Sequence, residues 1–172
     1  LWDFVGRAGV LSDPDVLLDW GTLLGSHREG GFIAHDYDID LRAPHARMCS
    51  IYNVLAAANV GGRYRLTVAH TFQSHGSWPV IKLDDVRAGV RVDIEPYIIE
   101  RGRVHRAHYS WFTRRMERLV IARSFRSVPV DVVFPCRSVR LAGHQTHVPA
   151  DTETLLRLFY GDQWRIPHVK KS

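Results

Sequence analysis

The chain has 172 residues, a length that suits one domain with its own hydrophobic core, and we expect residues 1–172 to form a single domain. Its hydrophobic fraction of 45% and charged fraction of 24% are ordinary for a globular protein, which excludes the disordered and fibrous classes. The formal net charge of +5 favours anionic partners such as nucleotides, phosphorylated glycans or nucleic acid, although a solubility surplus spread over the surface explains it equally well.

The N-terminal part of the chain predicts a strand, a short helix and a second strand. Residues 16–20 form the first strand, which meets Gly21-Thr22 and is followed by one or two helical turns over residues 23–29. Gly30-Gly31 ends this helix. Over residues 32–41 apolar residues flank alternating carboxylates, which is the pattern of a strand with one polar face.

A longer helix and several strands are predicted after this acidic segment. Pro44 occupies the first turn of a helix that runs to about Asn59. The apolar stripe of this helix consists of Met48, Ile51, Tyr52, Leu55 and Ala58. Residues 64–68 predict a strand, residues 79–84 and 90–95 predict a hairpin, and a further pair of strands turns at Arg101-Gly102.

The C-terminal part predicts a helix, a β-rich stretch and a final helix. An arginine-rich helix is expected over residues 111–125, followed by β structure through Val133, Val139 and Val148. Asp151 caps the final helix, whose inward residues and C-terminal glycine are Leu155, Leu158, Phe159 and Gly161. Together these elements predict an α+β fold in which a small mixed sheet is flanked by helices.

Three carboxylates alternate with other residues in Asp36-Tyr37-Asp38-Ile39-Asp40. Because the side chains of a strand alternate between its two faces, the three aspartates are expected to share one face. Crowded carboxylates repel one another unless a cation neutralises them, and Mg²⁺ or Mn²⁺ prefers such oxygen ligands together with phosphate oxygens. The run therefore predicts a divalent metal site, with an exposed acidic strand edge or turn as the alternative interpretation.

Two further features fit a phosphate-handling site beside these carboxylates. Gly21-Thr22 stands at a strand-to-helix junction, where backbone N–H groups and the helix dipole favour an anion, although an ordinary turn explains the pair as well. Asp93 and Glu95 alternate on the second strand of the predicted hairpin, so either residue could complete the site across the sheet. A salt-bridging outward face opposite Lys82 or Arg91 is the alternative for this pair.

Several separated blocks of the sequence form a recognisable signature. They are Gly21-Thr22-Leu23-Leu24-Gly25, Arg28, Gly31-Phe32-Ile33, Asp36-Tyr37-Asp38-Ile39-Asp40, Val92-Asp93-Ile94-Glu95-Pro96, Phe134-Pro135, Gly143, Val148-Pro149 and Tyr160-Gly161-Asp162-Gln163-Trp164. In order and spacing, across residues 16–167, they resemble the LicD family, which includes bacterial phosphocholine transferases and fukutin-type ribitol-phosphate transferases. The chain departs from the family in having Ala34-His35 where Pro-Trp is usual, and in lacking the cysteine-rich zinc insertion of the fukutin type.

The resemblance implies a nucleotidyltransferase-like core that takes a CDP-linked donor, transfers its phospho-alcohol to a hydroxyl of a glycan or polymer, and releases CMP. The phospho-alcohol would be phosphocholine, ribitol phosphate or a similar group. The implied cofactor is Mg²⁺ or Mn²⁺, with Asp38, Asp40 and Asp93 as ligands. Asp36 is expected to be a further ligand or the base for the acceptor hydroxyl.

Four residues are expected to bind the substrate on the same resemblance. Gly21 and Thr22 would lie beside the donor phosphates, and Arg28 would contact a phosphate through its fork of donors. A solvated arginine at a helix end is the alternative for Arg28. Lys82 is a weaker candidate for the same role.

Two other functions stay open. A true nucleotidyltransferase that moves NMP from an NTP uses the same metal constellation, and a non-catalytic basic module would bind nucleic acid or glycan. For the LicD-like transferase, nucleic acid is not an expected partner. A patch for an anionic acceptor, or simply a solvated helix face, is formed by Arg114, Arg115, Arg118, Arg123 and Arg126.

The remaining signals restrict the function only weakly. Cys49 and Cys136 permit one disulfide or two free thiols. No apolar run approaches the roughly 20 residues of a membrane-spanning helix. His144 and His147 are interpreted as polar strand or surface positions rather than zinc ligands. The compartment stays open, because bacterial relatives act in the cytoplasm and animal relatives in the Golgi lumen.

Overall fold

The computed structural model describes residues 1–73, 76–106 and 127–167, so the arginine-rich helix predicted at residues 111–125 lies outside the described residues. The described helices are α1 (Trp2–Arg7), α2 (Trp20–Arg28), α3 (Met48–Ala58), α4 (Val130–Val133) and α5 (Thr152–Tyr160). The strands are β1 (Leu17–Leu18), β2 (Asp38–Pro44), β3 (Arg65–Gln73), β4 (Gly76–Asp85), β5 (Val90–Glu100), β6 (Arg103–Arg106), β7 (Ser127–Pro129), β8 (Arg137–Leu141) and β9 (His144–Val148).

These strands form one mixed sheet flanked by helices, which confirms the predicted α+β fold. The strand order is β3-β4-β5-β2-β1-β9-β8, and β6 pairs with both β5 and β7. β2 runs parallel to β5 and β1 runs parallel to β9, whereas the other pairs are antiparallel. The short strand β1 therefore joins two parts of the sheet, since it pairs with β2 on one side and with β9 on the other.

Alternation along the central strands gives the sheet one apolar face and one charged face. Ile39 and Leu41 of β2 and Val92 and Ile94 of β5 are buried in the hydrophobic core. Each such side chain stabilises the fold by roughly 1.5–3 kcal/mol when it is buried. A slip of one residue would turn all four toward the other face, so their burial fixes the side on which the intervening charged residues lie.

Several predicted features are confirmed. β4 and β5 form the expected hairpin, and β5 and β6 turn at Arg101-Gly102. Asp151 caps α5, because its Oδ1 accepts a hydrogen bond from the N–H of Thr154 at 3.0 Å. Gly161 ends this helix with a φ of 76°, a left-handed conformation that favours glycine.

The predicted start of the long helix is wrong. Pro44 has a ψ of 135° and pairs with Tyr97 as the last residue of β2, so its extended backbone cannot begin a helix. A short 3-10 turn (His45–Arg47) follows, and α3 begins at Met48. Ala58 of the predicted stripe is exposed, because the last turn of α3 extends beyond the core.

Two positions in the C-terminal part also differ from the prediction. Val133 is buried, but it lies in α4 instead of a strand, since the N–H of Phe134 donates to the carbonyl of Val130 at 2.8 Å and closes a helical turn. In α5, Leu158 is 38% exposed and Leu156 is fully buried. The buried side of that helix follows Thr152, Leu155 and Leu156, as the helical period of about 3.6 residues allows.

Candidate functional site

The charged face of the sheet is organised by the parallel pairing of β2 and β5. The register places Asp38 opposite Arg91, Asp40 opposite Asp93, and Arg42 opposite Glu95. Neighbouring strands lie about 4.8 Å apart, so the side chains of Asp40 and Asp93 are direct neighbours. Of the two acidic residues that were candidates to complete the site, Asp93 is the one beside Asp40.

Asp36 lies outside the strand. β2 begins at Asp38, and the N–H of Asp36 donates to the carbonyl of Ile33 at 3.1 Å to close a turn. Within this turn His35 has a positive φ of 65°. The prediction that all three aspartates alternate along one strand is therefore wrong for Asp36, because the turn interrupts the extended backbone before it.

The start of α2 nevertheless brings Asp36 and Asp40 together. A Cβ atom built on Gly21 would lie 2.7 Å from Asp36 Oδ2 and 3.8 Å from Asp40 Oδ2. Any larger side chain would therefore occupy the space that the Asp36 carboxylate fills. The neighbouring Thr22 is buried, and its Oγ1 accepts a hydrogen bond from the N–H of Asp40 at 2.9 Å. Gly21 and Thr22 thus fix how β2 meets α2.

Asp93 has one satisfied oxygen and one unsatisfied oxygen. Lys82 Nζ lies 2.6 Å from Asp93 Oδ2. Asp93 Oδ1 is buried and has no hydrogen-bond partner in the described part of the chain. Arg91 Nε lies 3.8 Å from this oxygen and is held by Asp84 Oδ1 at 2.6 Å.

The carboxylates of this face resist ionisation. Burial, followed by the charges of Asp19 and Asp38, raises the pKa of Asp40 to about 8. Burial and a hydrogen bond with Asp38 raise the pKa of Asp36 to about 6. Burial also raises the pKa of Asp93, although Lys82 opposes this shift. A cation placed among these groups would favour their ionised forms and so oppose the effect of burial and of the neighbouring carboxylates.

The donor types at this face fit a hard divalent cation. Carboxylate oxygens are the ligands that Mg²⁺ and Mn²⁺ take, and Asp93 Oδ1 receives no hydrogen bond from the residues that the structure describes. Across the three described ranges, however, no group of three or more Asp, Glu, His or Cys residues is arranged to hold a metal ion. The site therefore fits a divalent cation in the type of its ligand atoms and not in their arrangement. Lys82 donates to the other oxygen of Asp93.

Arg28 lies at the opposite end of α2 from Gly21, about 10 Å along the helix axis. Its Nη2 lies 2.5 Å from Glu29 Oε1, and its Nη1 donates to the carbonyl of Trp164 at 3.3 Å. These contacts join the end of α2 to the C-terminal segment. The structure does not bring Arg28 to the carboxylates, so its phosphate contact stays a prediction.

Sequence reasoning missed a buried ion cluster beneath the site. Arg42 continues the alternation of Asp38 and Asp40 by one more step and is 4% exposed. It contacts Asp19, which precedes α2, and Glu95 on β5. An arginine between Leu41 and Ala43 on a strand with one polar face was the available signal, because a buried cation requires partners.

Several other residues singled out in the sequence lie outside the charged face. Trp164 is buried, and Trp20 stacks on Phe159 with ring centroids 4.4 Å apart, so both tryptophans pack against neighbouring residues. Cys49 and Cys136 are free thiols. The Nε2 of His144 on β9 lies 2.8 Å from Asp3 Oδ1.

An α+β fold that presents paired carboxylates beside the start of a helix is consistent with the transferase class. A family model described as LicD/FKTN/FKRP, nucleotidyltransferase domain, matches residues 15–151, and the chain belongs to this family. The matched range contains every candidate residue of the charged face. Membership indicates a transferase with a phosphotransferase-like role, a nucleotide-linked donor and a glycan acceptor.

Two other findings complete the comparison. The comparison with curated proteins gives no match. None of the described helices is long and apolar enough to cross a membrane.

Proposed function

We propose that the protein moves a phospho-alcohol from a CDP-linked donor to a hydroxyl of a glycan or polymer and releases CMP, with Mg²⁺ or Mn²⁺ as cofactor. The observation that carries the proposal is the parallel register that sets Asp40 beside Asp93. Family membership supports the transferase chemistry, and the acidic pair supports the need for a cation. The donor alcohol would be choline, ribitol or a similar alcohol.

Asp38, Asp40 and Asp93 would hold the cofactor. When bound, the cofactor lowers the negative charge of the donor diphosphate and so favours attack at phosphorus. Lys82, which lies beside Asp93, adds positive charge on the same face for the donor phosphates. Gly21 leaves space for the carboxylates at the start of α2, and Thr22 holds β2 in place.

Asp36 is suited to accept the proton of the acceptor hydroxyl. Its pKa of about 6 leaves it mostly ionised at neutral pH, and it remains exposed, so an acceptor can reach it. The acceptor oxygen forms a bond to the phosphorus of the phospho-alcohol as the bond from that phosphorus to CMP breaks. The proton passes to Asp36, and CMP leaves with the bonding electron pair.

The test is a screen of CDP-choline, CDP-ribitol, CDP-glycerol and NTPs, each with Mg²⁺ or Mn²⁺, read by thermal shift and by product analysis. A donor at 100 times its Kd should stabilise the fold by about 2.7 kcal/mol, which raises Tm by about 5–10 °C for a chain of this size. Release of CMP without pyrophosphate is the expected result. Pyrophosphate from an NTP would instead establish the nucleotidyltransferase activity that the family description also allows.

A pair of variants tests whether Asp93 takes part in donor turnover. Asp93→Asn replaces the carboxylate of a proposed ligand by a neutral amide and should lower turnover by roughly 10–100-fold. Asp84→Asn is the matched control, because Asp84 pairs with Arg91 on the adjacent strand and is not a proposed ligand. Equal turnover in the two variants would contradict the assignment, and salt-sensitive nucleic-acid binding without CMP release would favour a basic binding module.

A further inference from the structure

The guanidinium of Arg42 joins two segments of the fold, the residue before α2 and strand β5. Its Nε donates to Asp19 Oδ2, its Nη2 lies 2.5 Å from Glu95 Oε2, and its Nη1 donates to the carbonyl of Pro96 at 3.2 Å. Arg42 is 4% exposed and Asp19 is 2% exposed, so the cluster lies inside the protein. A planar guanidinium supplies these three donors from fixed directions, which an ammonium group cannot do.

The residues that Arg42 contacts belong to the segments that carry the candidate site. Asp19 stands two residues before Gly21, Arg42 stands two residues after Asp40, and Glu95 stands two residues after Asp93. Because alternate residues of a strand share a face, Arg42 and Glu95 lie one step along the same face as Asp40 and Asp93. The N–H of Asp19 also donates to the carbonyl of Asp40 at 3.0 Å.

We propose that Arg42 is a positioning residue that sets the separation of the Asp40 and Asp93 carboxylates from each other and from the start of α2. It acts through Asp19, which fixes the segment before α2, and through Glu95, which fixes β5. As far as it concerns a cation, this inference rests on the proposed function. Arg42 itself touches neither the donor nor the acceptor.

The position of the cluster also has an electrostatic consequence. Asp19 and Glu95 are buried or partly buried acids next to Asp40 and Asp93. Arg42 pairs with both of them, so its positive charge offsets the charge of two further carboxylates beside the site. A replacement at position 42 must therefore supply both the charge and the three hydrogen bonds.

The experiment compares Arg42→Lys with Arg47→Lys. Arg47 pairs with Asp13 at 2.6 Å but is 49% exposed, so it is a matched arginine–aspartate pair away from the site. Mn²⁺ affinity is measured by electron paramagnetic resonance, and cooperative thermal unfolding checks the fold. Arg42→Lys should bind Mn²⁺ roughly 10-fold more weakly or worse, in the range seen when an outer partner of a metal ligand is lost, and Arg47→Lys should match the wild type.

Asp19→Asn and Asp19→Ala keep the inference testable if Arg42→Lys does not fold. Asparagine retains an oxygen that accepts from Arg42, whereas alanine does not. Asp19→Asn should therefore bind Mn²⁺ more tightly than Asp19→Ala. Equal affinities of these two variants, or wild-type affinity in Arg42→Lys, would overturn the positioning role while the proposed function stands. A wild-type chain that binds no Mn²⁺ would overturn both.

Discussion

Replacement of Gly21 by alanine should separate the stability of the fold from the geometry of the site. The new Cβ would lie 2.7 Å from Asp36 Oδ2, which is closer than Cβ atoms approach other heavy atoms in proteins. Asp36 is exposed, and its carboxylate ends a short side chain that can rotate. We therefore expect the carboxylate of Asp36 to move away while α2 stays in place.

The magnitudes follow from this displacement. Alanine stabilises a helix by about 0.5–1 kcal/mol relative to glycine, and the 3.8 Å approach to Asp40 Oδ2 is an ordinary contact. The free energy of unfolding should be unchanged or higher by up to about 1 kcal/mol, which corresponds to about 2–4 °C in Tm. The kcat should fall by roughly 100-fold or more, because Asp36 no longer reaches the acceptor proton.

The control is Gly25→Ala in the same helix. Its Cβ would lie 2.6 Å from the carbonyl oxygen of Gly31, a backbone atom that cannot rotate away, so this variant should lose about 1–3 kcal/mol of stability. Urea unfolding measures both stabilities, and CMP release measures kcat. The reasoning is refuted if Gly21→Ala keeps the wild-type kcat, or if it is destabilised as much as Gly25→Ala.

Three further predictions concern the same elements. The folded metal-free protein holds protons on Asp40 and Asp36 up to pH values of about 8 and about 6, whereas the unfolded chain releases them near the ordinary value of 3.8. Its free energy of unfolding should therefore fall as the pH rises from about 4 to 8, and Asp40→Asn should reduce this fall in urea titrations with EDTA. Thr22→Val should lose about 1–3 kcal/mol, because it leaves the partly buried N–H of Asp40 without its acceptor. Thr22→Ser should lose less, and equal losses in urea unfolding would contradict the role of the hydroxyl. Leu156→Ala should lose about 2–5 kcal/mol and Leu158→Ala less than about 1 kcal/mol. The reverse order in thermal unfolding would show that α5 presents the other face to the core.

Local patterns in the sequence predicted most elements because each rests on neighbouring residues. The alternation of Ile39 and Leu41 with carboxylates predicted β2, and Asp151 with Gly161 predicted the ends of α5. The start of α3 was less accessible, because proline suits both a first helical turn and an extended strand end. Only the pairing of Pro44 with β5 decides between them.

The candidate site was only partly predictable, because its geometry depends on residues far apart in the chain. Nothing local requires β2 to run parallel to β5, and that register alone decides that Asp93, and not Glu95, lies beside Asp40. The turn closed by Ile33 and Asp36 is likewise a hydrogen bond that alternation does not reveal. Arg42 followed the alternating pattern, but its partner Asp19 becomes visible only when β1 pairs with β2.

The two-residue strand β1 makes the sheet narrow at its middle. Strand β1 pairs with β9 through one residue pair, Leu17 with His147. Backbone hydrogen bonds alone therefore join the β2 side of the sheet only weakly to the β9 side. Side chains of α2 and α5 span this narrow point, through the stacking of Trp20 on Phe159 and through His27, which lies 3.6 Å from Glu153. Helix α5 therefore stabilises the position of α2. A chain that ends after Asp151 would keep every acidic residue of the site but would lose these contacts between α5 and α2.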